Sequence, residues 1–504
     1  MSLKNSNSII SLEDDEEEDP SEYKIGGYHP VQIGERYLNR YTVIQKLGWG
    51  QFSTVWLARD NVTNSYVALK IQKSNFHYTE AAMDEIQILT KISKSYDDLK
   101  WHRALEDYGL PASLKTGFVV QLYSHFVHKG PYGKHVCMIF ELLGVNLLEI
   151  IKLYDYKGIP IPLVRTIARQ ILIGLDYLHR VCGIIHTDIK PENILLQLTH
   201  AQIQELVLTG RLTNKFPFDD SGVNATEEAS VELGRYSING INKVVKRRRY
   251  SKRPVGDEIE SDSQHRSKSV HSGDSQDETS TVNRRRKSWN FDRPADEETW
   301  KPRLRENLTV KIADLGNACW GKKHFSSVIQ TRQYRAPEII LGIKYGFSAD
   351  IWSFACMLIE LITGEFLFDP TSGEDFGKNS DHLAQMWEAL GHFPIEWAKT
   401  GKKFDKYFTR RNKLRNIPVL RIWHIKDILI QKHRINPSEA EGICDFIKGM
   451  LVFQPDRRST AEVLLRHKWL YEPPNYNYYL SEEEHAKYVS EEEAKERAGT
   501  AYLG

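Results

Sequence analysis

The sequence predicts an α+β fold of two lobes: a small antiparallel β-sheet lobe with one key helix, and a larger, mainly helical lobe. Three observations carry that prediction. Alternating runs fill the early chain, "YTVIQKLGWGQFSTVWLARD" from Tyr41 and "NSYVALKIQ" from Asn64, as expected of paired, half-buried strands. A helical stretch, "TEAAMDEIQILTKIS" (79–93), interrupts them. Apolar residues at helical spacing then take over, as in "VRTIARQILIGLDYLHRV" from Val164, so strands come first and helices second.

Composition divides the 504 residues further. Residues 1–27 are expected to be a disordered acidic arm, with seven consecutive acidic residues from Glu13 to Asp19. The small lobe spans 28–143 and includes two more strand-like runs, "FVVQLYSHFV" (118–127) and "HVCMIFELL" (135–143). The helical lobe is split into 144–196 and 308–471 by a largely disordered spacer, 197–307. Between Lys246 and Lys287 the spacer's aliphatic residues are Val255, Ile259, Val270 and Val282, too few to offset the entropy of ordering. Its start, "HAQIQELVL" (200–208), is apolar enough for a short docked helix. The charged tail 472–504 is expected to form an exposed helix capped by Ser481.

Charge and cysteine content exclude several classes. Lys and Arg number 68 against 67 Asp and Glu, a net charge of +1, so no global field points to direct nucleic-acid or membrane binding. The five cysteines lack a CxxC pair, which argues against a disulfide framework or a zinc site. The N-terminus lacks an apolar stretch of signal-peptide length, and the longest apolar run, Ile351 to Ile359, is too short for a membrane span. A soluble intracellular protein is expected.

Four motifs carry chemistry. In "LGWGQFSTVW" (47–56), Gly48 and Gly50 allow a tight turn to bring backbone N–H groups over phosphates, with Ser53 where a third glycine is common. "VALK" ends in Lys70, and Glu85 on the following helix is placed to hold its ammonium. "HTDIKPENILL" spaces Asp188, Lys190 and Asn193 at offsets 0, +2 and +5 before an apolar strand, a pattern suited to accepting a hydroxyl proton, neutralising a moving phosphoryl and holding Mg²⁺. "KIADLGNA" offers Asp314 as a metal ligand and precedes "TRQYRAPE" (331–338). Asp350, on a buried helix, is placed to fix the backbone of the third motif, and Arg458 to pair with Glu338.

With these motifs in order, the chain resembles the eukaryotic protein kinases over 41–195 and 308–471. More narrowly it resembles the SR-protein kinases of the CMGC group, which phosphorylate serines in arginine/serine-rich splicing factors. The narrower likeness rests on "GGYHPVQIGERYLNRYTVIQKLGWGQFSTVWLARD", "HTDIKPENILL", "IADLGNACW" and the long charged spacer. The resemblance implies a bilobal protein-kinase fold, ATP and Mg²⁺ as cofactors, Asp188 as catalytic base with Lys190, a Lys70–Glu85 pair, and Asn193 and Asp314 as metal ligands. It places Leu47, Gly48, Trp49, Gly50, Gln51, Phe52 and Ser53 over the phosphates. Val55, Ala68 and Leu195 would sandwich adenine, Phe140 would be gatekeeper, and Glu141 and Leu143 would offer hinge hydrogen bonds. The alternatives are a LAMMER-type dual-specificity kinase, whose signature "DHLAQMWEALG" (381–391) faintly resembles, and a pseudokinase scaffold.

Substrate recognition follows by the same analogy. An arginine-rich peptide needs carboxylates, and Glu365, Asp381 and Glu388 occupy the corresponding docking positions, the last two on one helix face. Arg332, Arg335 and Lys378 are expected to form a basic pocket for a phosphoserine, with Lys378 lacking the bidentate fork of the family's arginine. Thr187 stands where many kinases have an arginine that binds an activation-loop phosphate, so constitutive activity is expected despite the hydroxyls of Ser326, Ser327 and Thr331. Control is assigned to the spacer, whose basic clusters (246–249 and 284–287) and Ser272, Ser275 and Ser288 read as import, chaperone or modification sites in a monomer that is both cytoplasmic and nuclear.

Overall fold

The alternating runs form a six-stranded sheet in the computed structural model, which describes residues 18–110, 117–209, 308–417, 419–472 and 477–501. Its strands are β1 (Arg36–Tyr37), β2 (Tyr41–Gly50), β3 (Ser53–Asp60), β4 (Ser65–Gln72), β5 (Leu122–Gly130) and β6 (Gly133–Glu141), in the order β1-β2-β3-β4-β6-β5. All pairings are antiparallel. Val55 lies opposite Lys70, and Ala68 opposite Phe140. Directly opposed residues share a face, so these four side chains project to one side of the sheet.

Helix α1 (Phe76–Lys94) covers that sheet. Asn75 caps it by accepting from the His77 N–H at 3.1 Å, and Lys91 and Lys94 suit its C-terminal end. Its buried stripe is Ala82, Ile86, Ile88, Leu89 and Ile92, with one carboxylate, Glu85, among them. Ala82 and Ile86 pack against Val136 and Met138 of β6, which fixes where Glu85 meets β4. A second helix, α2 (Leu99–Asp107), buries Trp101, Ala104 and Leu105; at nine residues it is too short for the sequence pattern to mark it.

The large lobe is built on α3 (Leu147–Leu153), α4 (Ile161–Asp176) and α7 (Ser348–Thr363), the last buried along nearly its whole length. Short strands frame the residues between them: β7 (Leu143–Asn146), β8 (Ile184–Ile185), β9 (Ile194–Gln197), β10 (Val310–Ile312) and β11 (Cys319–Trp320). They form one sheet in the order β10-β9-β7 and a second pair, β11-β8. The segment 186–193 is thereby held at both ends. Helix α5 (His200–Thr209) docks through Leu206 and Gln202, as expected of the spacer's first residues; the rest of the spacer to 307 lies outside the described residues.

Behind the site, Glu338 on α6 (Pro337–Leu341) and Arg458 form a pair with no solvent exposure. The guanidinium meets both carboxylate oxygens, at 2.7 and 2.6 Å, and donates to the carbonyls of Val452, Ser348 and Phe453. Helix α8 (Lys378–Leu390) follows, and the helix Glu482–Ala501 closes the chain. The expected Ser481 cap is present: Ser481 Oγ accepts from Glu484 N, and Glu484 Oε2 accepts from Ser481 N. His485 reaches the Gln431 carbonyl at 2.8 Å, so the tail is docked rather than free.

The acidic arm also ends earlier than its composition implies. Residues 18–27, expected to be disordered, are ordered because their charges find partners: buried Glu18 meets Lys46, Glu22 meets Lys73 at 2.7 Å, and Gly26 N donates to the Tyr132 carbonyl. Residues 1–17 lie outside the described residues.

Two predictions follow from this packing. Arg458→Met leaves the Glu338 carboxylate buried without a counter-charge and is expected to lower stability by about 3–5 kcal/mol, read by thermal or urea denaturation. Hydrogen bonds from Lys24 and Lys73 depress the Glu22 carboxyl to about 2. Its anchoring contribution is therefore complete above the unfolded value, about 4.3, and is lost as pH falls toward the folded one. The protection of the Tyr28 amide, which donates to the Glu22 carbonyl, measured against its intrinsic exchange rate at each pH, should fall across that window. Glu22→Gln should lower it already at neutral pH.

Candidate active site

The site sits between the lobes and begins with Lys70 of β4. Its Nζ lies 2.8 and 3.0 Å from the two oxygens of Glu85 on α1. Burial pushes the ammonium pKa down, but the nearby carboxylates of Glu85 and Asp314 outweigh it, and the net shift is upward. Lys70 therefore stays charged, held from one side by α1 and facing Asp314 on the other.

The segment 186–193 presents the second group. Asp188 Oδ2 accepts from Lys190 Nζ at 2.6 Å, and Oδ1 accepts from the Thr331 hydroxyl at 2.7 Å and the Thr331 N–H at 3.2 Å. Lys190 also donates to Thr331 Oγ1 at 3.1 Å, closing a three-residue ring. Burial would raise the Asp188 carboxyl, but Lys190 and Thr331 hold it below the ordinary carboxylate value; the converse pull of Asp188 raises Lys190. The sequence presents Thr331 as an available hydroxyl of the activation segment. The structure instead places it inside the Asp188–Lys190 pair.

Asn193 donates its amide N–H to the Asp188 carbonyl at 2.8 Å, which orients the amide and leaves its carbonyl oxygen available. Asp314, after β10, adopts a left-handed backbone (φ 60) and is exposed to the cleft, in the field of Lys70 and Lys190. A carboxylate and an amide oxygen are hard donors of the kind Mg²⁺ takes, so the residues present fit such an ion.

The backbone carrying Asp188 is tied to Asp350, which has no solvent exposure. Asp350 accepts from the His186 and Thr187 N–H groups, both at 2.8 Å, and lies 2.8 Å from His179 Nε2. Thr187 is left-handed (φ 68), and its hydroxyl donates to the Asn317 carbonyl at 2.8 Å.

The glycine turn joins β2 to β3 with Gly50 opposite Ser53 and Gly48 opposite Val55, after a bulge between Lys46 and Gly48. Leu47 is buried, Trp49 and Phe52 are half-buried, and Gln51 is exposed at the tip. Tyr28, to which the sequence assigned no role, donates its hydroxyl to the Gly50 carbonyl at 2.6 Å. Val55 and Leu195 lie in one continuous apolar cluster, with Ala68 and Phe140 packed against it. Glu141 closes the sheet lobe, its carboxylate held by the fully buried Lys311 at 2.6 and 2.8 Å, and Leu143 opens β7 opposite Gln197. The Lys311 contact was not legible in the sequence, because nothing in "VKIADLG" marks its lysine as buried.

The expected substrate residues assemble only in part. Glu365 is at the surface beside Lys432, and half-buried Glu388 accepts from Arg421 N at 2.9 Å. Asp381 does not share their exposure: it is buried and accepts from Thr371 N and Gln385 Nε2, both at 2.8 Å, holding the preceding loop. The seven-residue spacing gave the right helix, α8, but its first position faces inward. The basic pocket changes in a similar way. Arg335 is buried and donates to the Ile329 and Gln330 carbonyls, whereas Arg332 bonds Asn379, next to exposed Lys378.

Two lobes with a lysine–carboxylate pair in the sheet lobe and an Asp–Lys–Asn constellation below it define a phosphoryl-transfer site of the kinase type. Residues 41–209 and 303–470 match the family described as "Protein kinase domain", and the chain belongs to the protein kinases. Within them it is an SR-protein kinase family member and an ATP-dependent serine/threonine protein kinase. It is 41% identical to "Protein kinase dsk1" of Schizosaccharomyces pombe, over 90% of this chain and 85% of that one. It is 39% identical to "Serine/threonine-protein kinase SRPK" of Physarum polycephalum, over 92% and 94%. Identity to human "SRSF protein kinase 3" is 36%, over 92% of each chain.

Asp350→Asn keeps the shape but loses a charged acceptor shared by two N–H groups. A shift of the loop by about 1 Å is expected to lower kcat about 100-fold, with the ATP KM nearly unchanged, in steady-state kinetics.

Proposed function

We propose that the chain transfers the γ-phosphate of ATP, with Mg²⁺, to serines in Arg-Ser-rich proteins such as SR splicing factors, and that it does so without prior phosphorylation of its activation segment. The observation that carries the reading is the Asp188–Lys190–Thr331 ring, which keeps Asp188 ionised. Asp188 takes the proton of the substrate serine as its oxygen attacks, Lys190 balances charge on the moving phosphoryl, and Lys70, held by Glu85, positions the phosphates. Gly48, Gly50 and their neighbours cover the phosphates, and Val55, Ala68 and Leu195 bury adenine beneath the hinge at Glu141 and Leu143. Asn193 and Asp314 would hold the ion, which supplies charge neutralisation at the phosphates.

Constitutive activity is supported by how the activation segment is held. The position that would bring a phosphate-binding arginine is Thr187, whose hydroxyl is spent on the Asn317 carbonyl. Arg335 is satisfied by backbone carbonyls, and Gln330 bonds Ala349, Ser353 and Ala336. Preference for arginine-rich substrates is supported by the likeness to human SRSF protein kinase 3 and by Glu365 and Glu388 on the large lobe; Asp381 acts by holding the loop beside them. We assign the spacer, with its basic clusters, to import and to partitioning of a monomer between cytoplasm and nucleus; deleting it should abolish nuclear entry while leaving peptide kinase activity.

An Arg-Ser repeat peptide should be phosphorylated on serine by Mg-ATP and the full chain, and a Lys-Ser repeat should not. Equal labelling of both peptides contradicts the substrate class. Asp188→Asn should lower kcat by about 10²–10⁴-fold without loss of ATP binding.

A further inference from the structure

The small lobe carries a second cluster of chemistry-bearing side chains on the far side of Tyr28 from the glycine turn. His29 is buried, 4% exposed, yet both of its ring nitrogens lack a hydrogen-bond partner. Leaving both nitrogens of a buried imidazole without a hydrogen bond is unfavourable, so the site calls for a ligand. His29 Nε2 lies 3.6 Å from Glu35 Oε1. The ring of His128, on β5, stands edge-on to it with centroids 4.6 Å apart. One ligand atom from each of His29, Glu35 and His128 falls within 4.8 Å of the others. These three side chains line a cleft of about 440 Å³ open to solvent.

We propose that His29, Glu35 and His128 form a binding site for a divalent transition-metal ion, zinc in the first instance. Two imidazoles and one carboxylate are a zinc donor set, with a fourth position open to water. At metal–ligand distances of about 2.0–2.1 Å, tetrahedral ligand atoms stand roughly 3.3 Å apart. The His29–Glu35 edge is already near that value. The wider separations, all within 4.8 Å, close by small shifts of the partly buried Glu35 and His128; Glu35 keeps its Oε2 on the Gln32 N–H at 3.0 Å while Oε1 turns to the ion.

Two neighbours shape the site. A Cβ at Gly130 would stand 2.4 Å from His29 Nδ1, so only glycine leaves room for this ring. His135 lies behind it, centroids 5.0 Å apart, its Nδ1 2.9 Å from the Gln72 carbonyl and its buried Nε2 unpartnered. The ion would fasten the segment before β1 to β5. Tyr28, adjacent to His29, contacts the Gly50 carbonyl, so the same fastening would steady the strap against the glycine turn. The absence of cysteine pairs, which argued against zinc in the sequence, does not bear on this site, because its ligands are spaced 6 residues apart within the strap and then come from a distant strand.

The test is calorimetric titration of the metal-stripped full chain with zinc chloride, without nucleotide, alongside thermal melting. One ion per chain at micromolar or tighter affinity is expected, with a zinc-dependent rise in Tm. Glu35→Gln and His128→Gln, at partly exposed positions, should fold and still phosphorylate peptide while binding zinc about tenfold or more weakly and losing the Tm rise. Gly130→Ala should weaken binding as well. Absence of saturable binding overturns the proposal. So does unchanged affinity in both ligand variants, which would place the ion elsewhere on the chain.

Discussion

The buried carboxylate of Asp350 is the constraint on which the site depends. It is removed from water and accepts from two consecutive backbone N–H groups and faces a histidine, so it is satisfied by the loop and its neighbour. Charge-assisted bonds in a low-dielectric interior are strong, and a buried acceptor without partners is correspondingly unfavourable. The loop thus has one arrangement in which the charge is satisfied. That arrangement bends Thr187 into a left-handed conformation, disfavoured by about 1–2 kcal/mol for a side chain with a Cβ. In it, Asp188 meets Lys190 and Thr331.

From that anchor the activation segment follows without a phosphate. Thr187 bonds the chain just after Asp314 through Asn317, and Gln330 ties its far end to α7. Arg335, an arginine of this segment, is already used on backbone carbonyls. The buried Arg458–Glu338 pair then fixes α6, which follows this segment directly. Each link is a bond between groups present in the chain as synthesised.

Much of this was legible in the sequence, because the chemistry restricts residue type and order together. Lys70, Glu85, Asp188, Lys190, Asn193 and Asp314 stand out by motif and order, Asp350 as a charge on an otherwise apolar helix, and Glu338 and Arg458 as candidate partners within the motifs that carry them. The two lobes and the docked start of the spacer followed from periodicity. What was not legible depends on which way a side chain faces. Asp381 and Arg335 read as surface charges but turn inward to backbone partners, and Thr331 read as a free hydroxyl. Lys311 reads as an ordinary strand lysine, yet it is fully buried against Glu141. Residues 18–27 read as a disordered arm, since composition does not reveal that Lys46 and Lys73 await their carboxylates.

The central claim is that protein–protein bonds replace a phosphate in holding the catalytic loop and activation segment. The most direct measurement is the kcat of phosphatase-treated, mass-verified unphosphorylated protein, compared with the same protein after prolonged incubation in Mg-ATP. The account predicts equal rates from the first turnover, with no lag. A lag that disappears after phosphate is incorporated at Ser326 or Ser327 would contradict it.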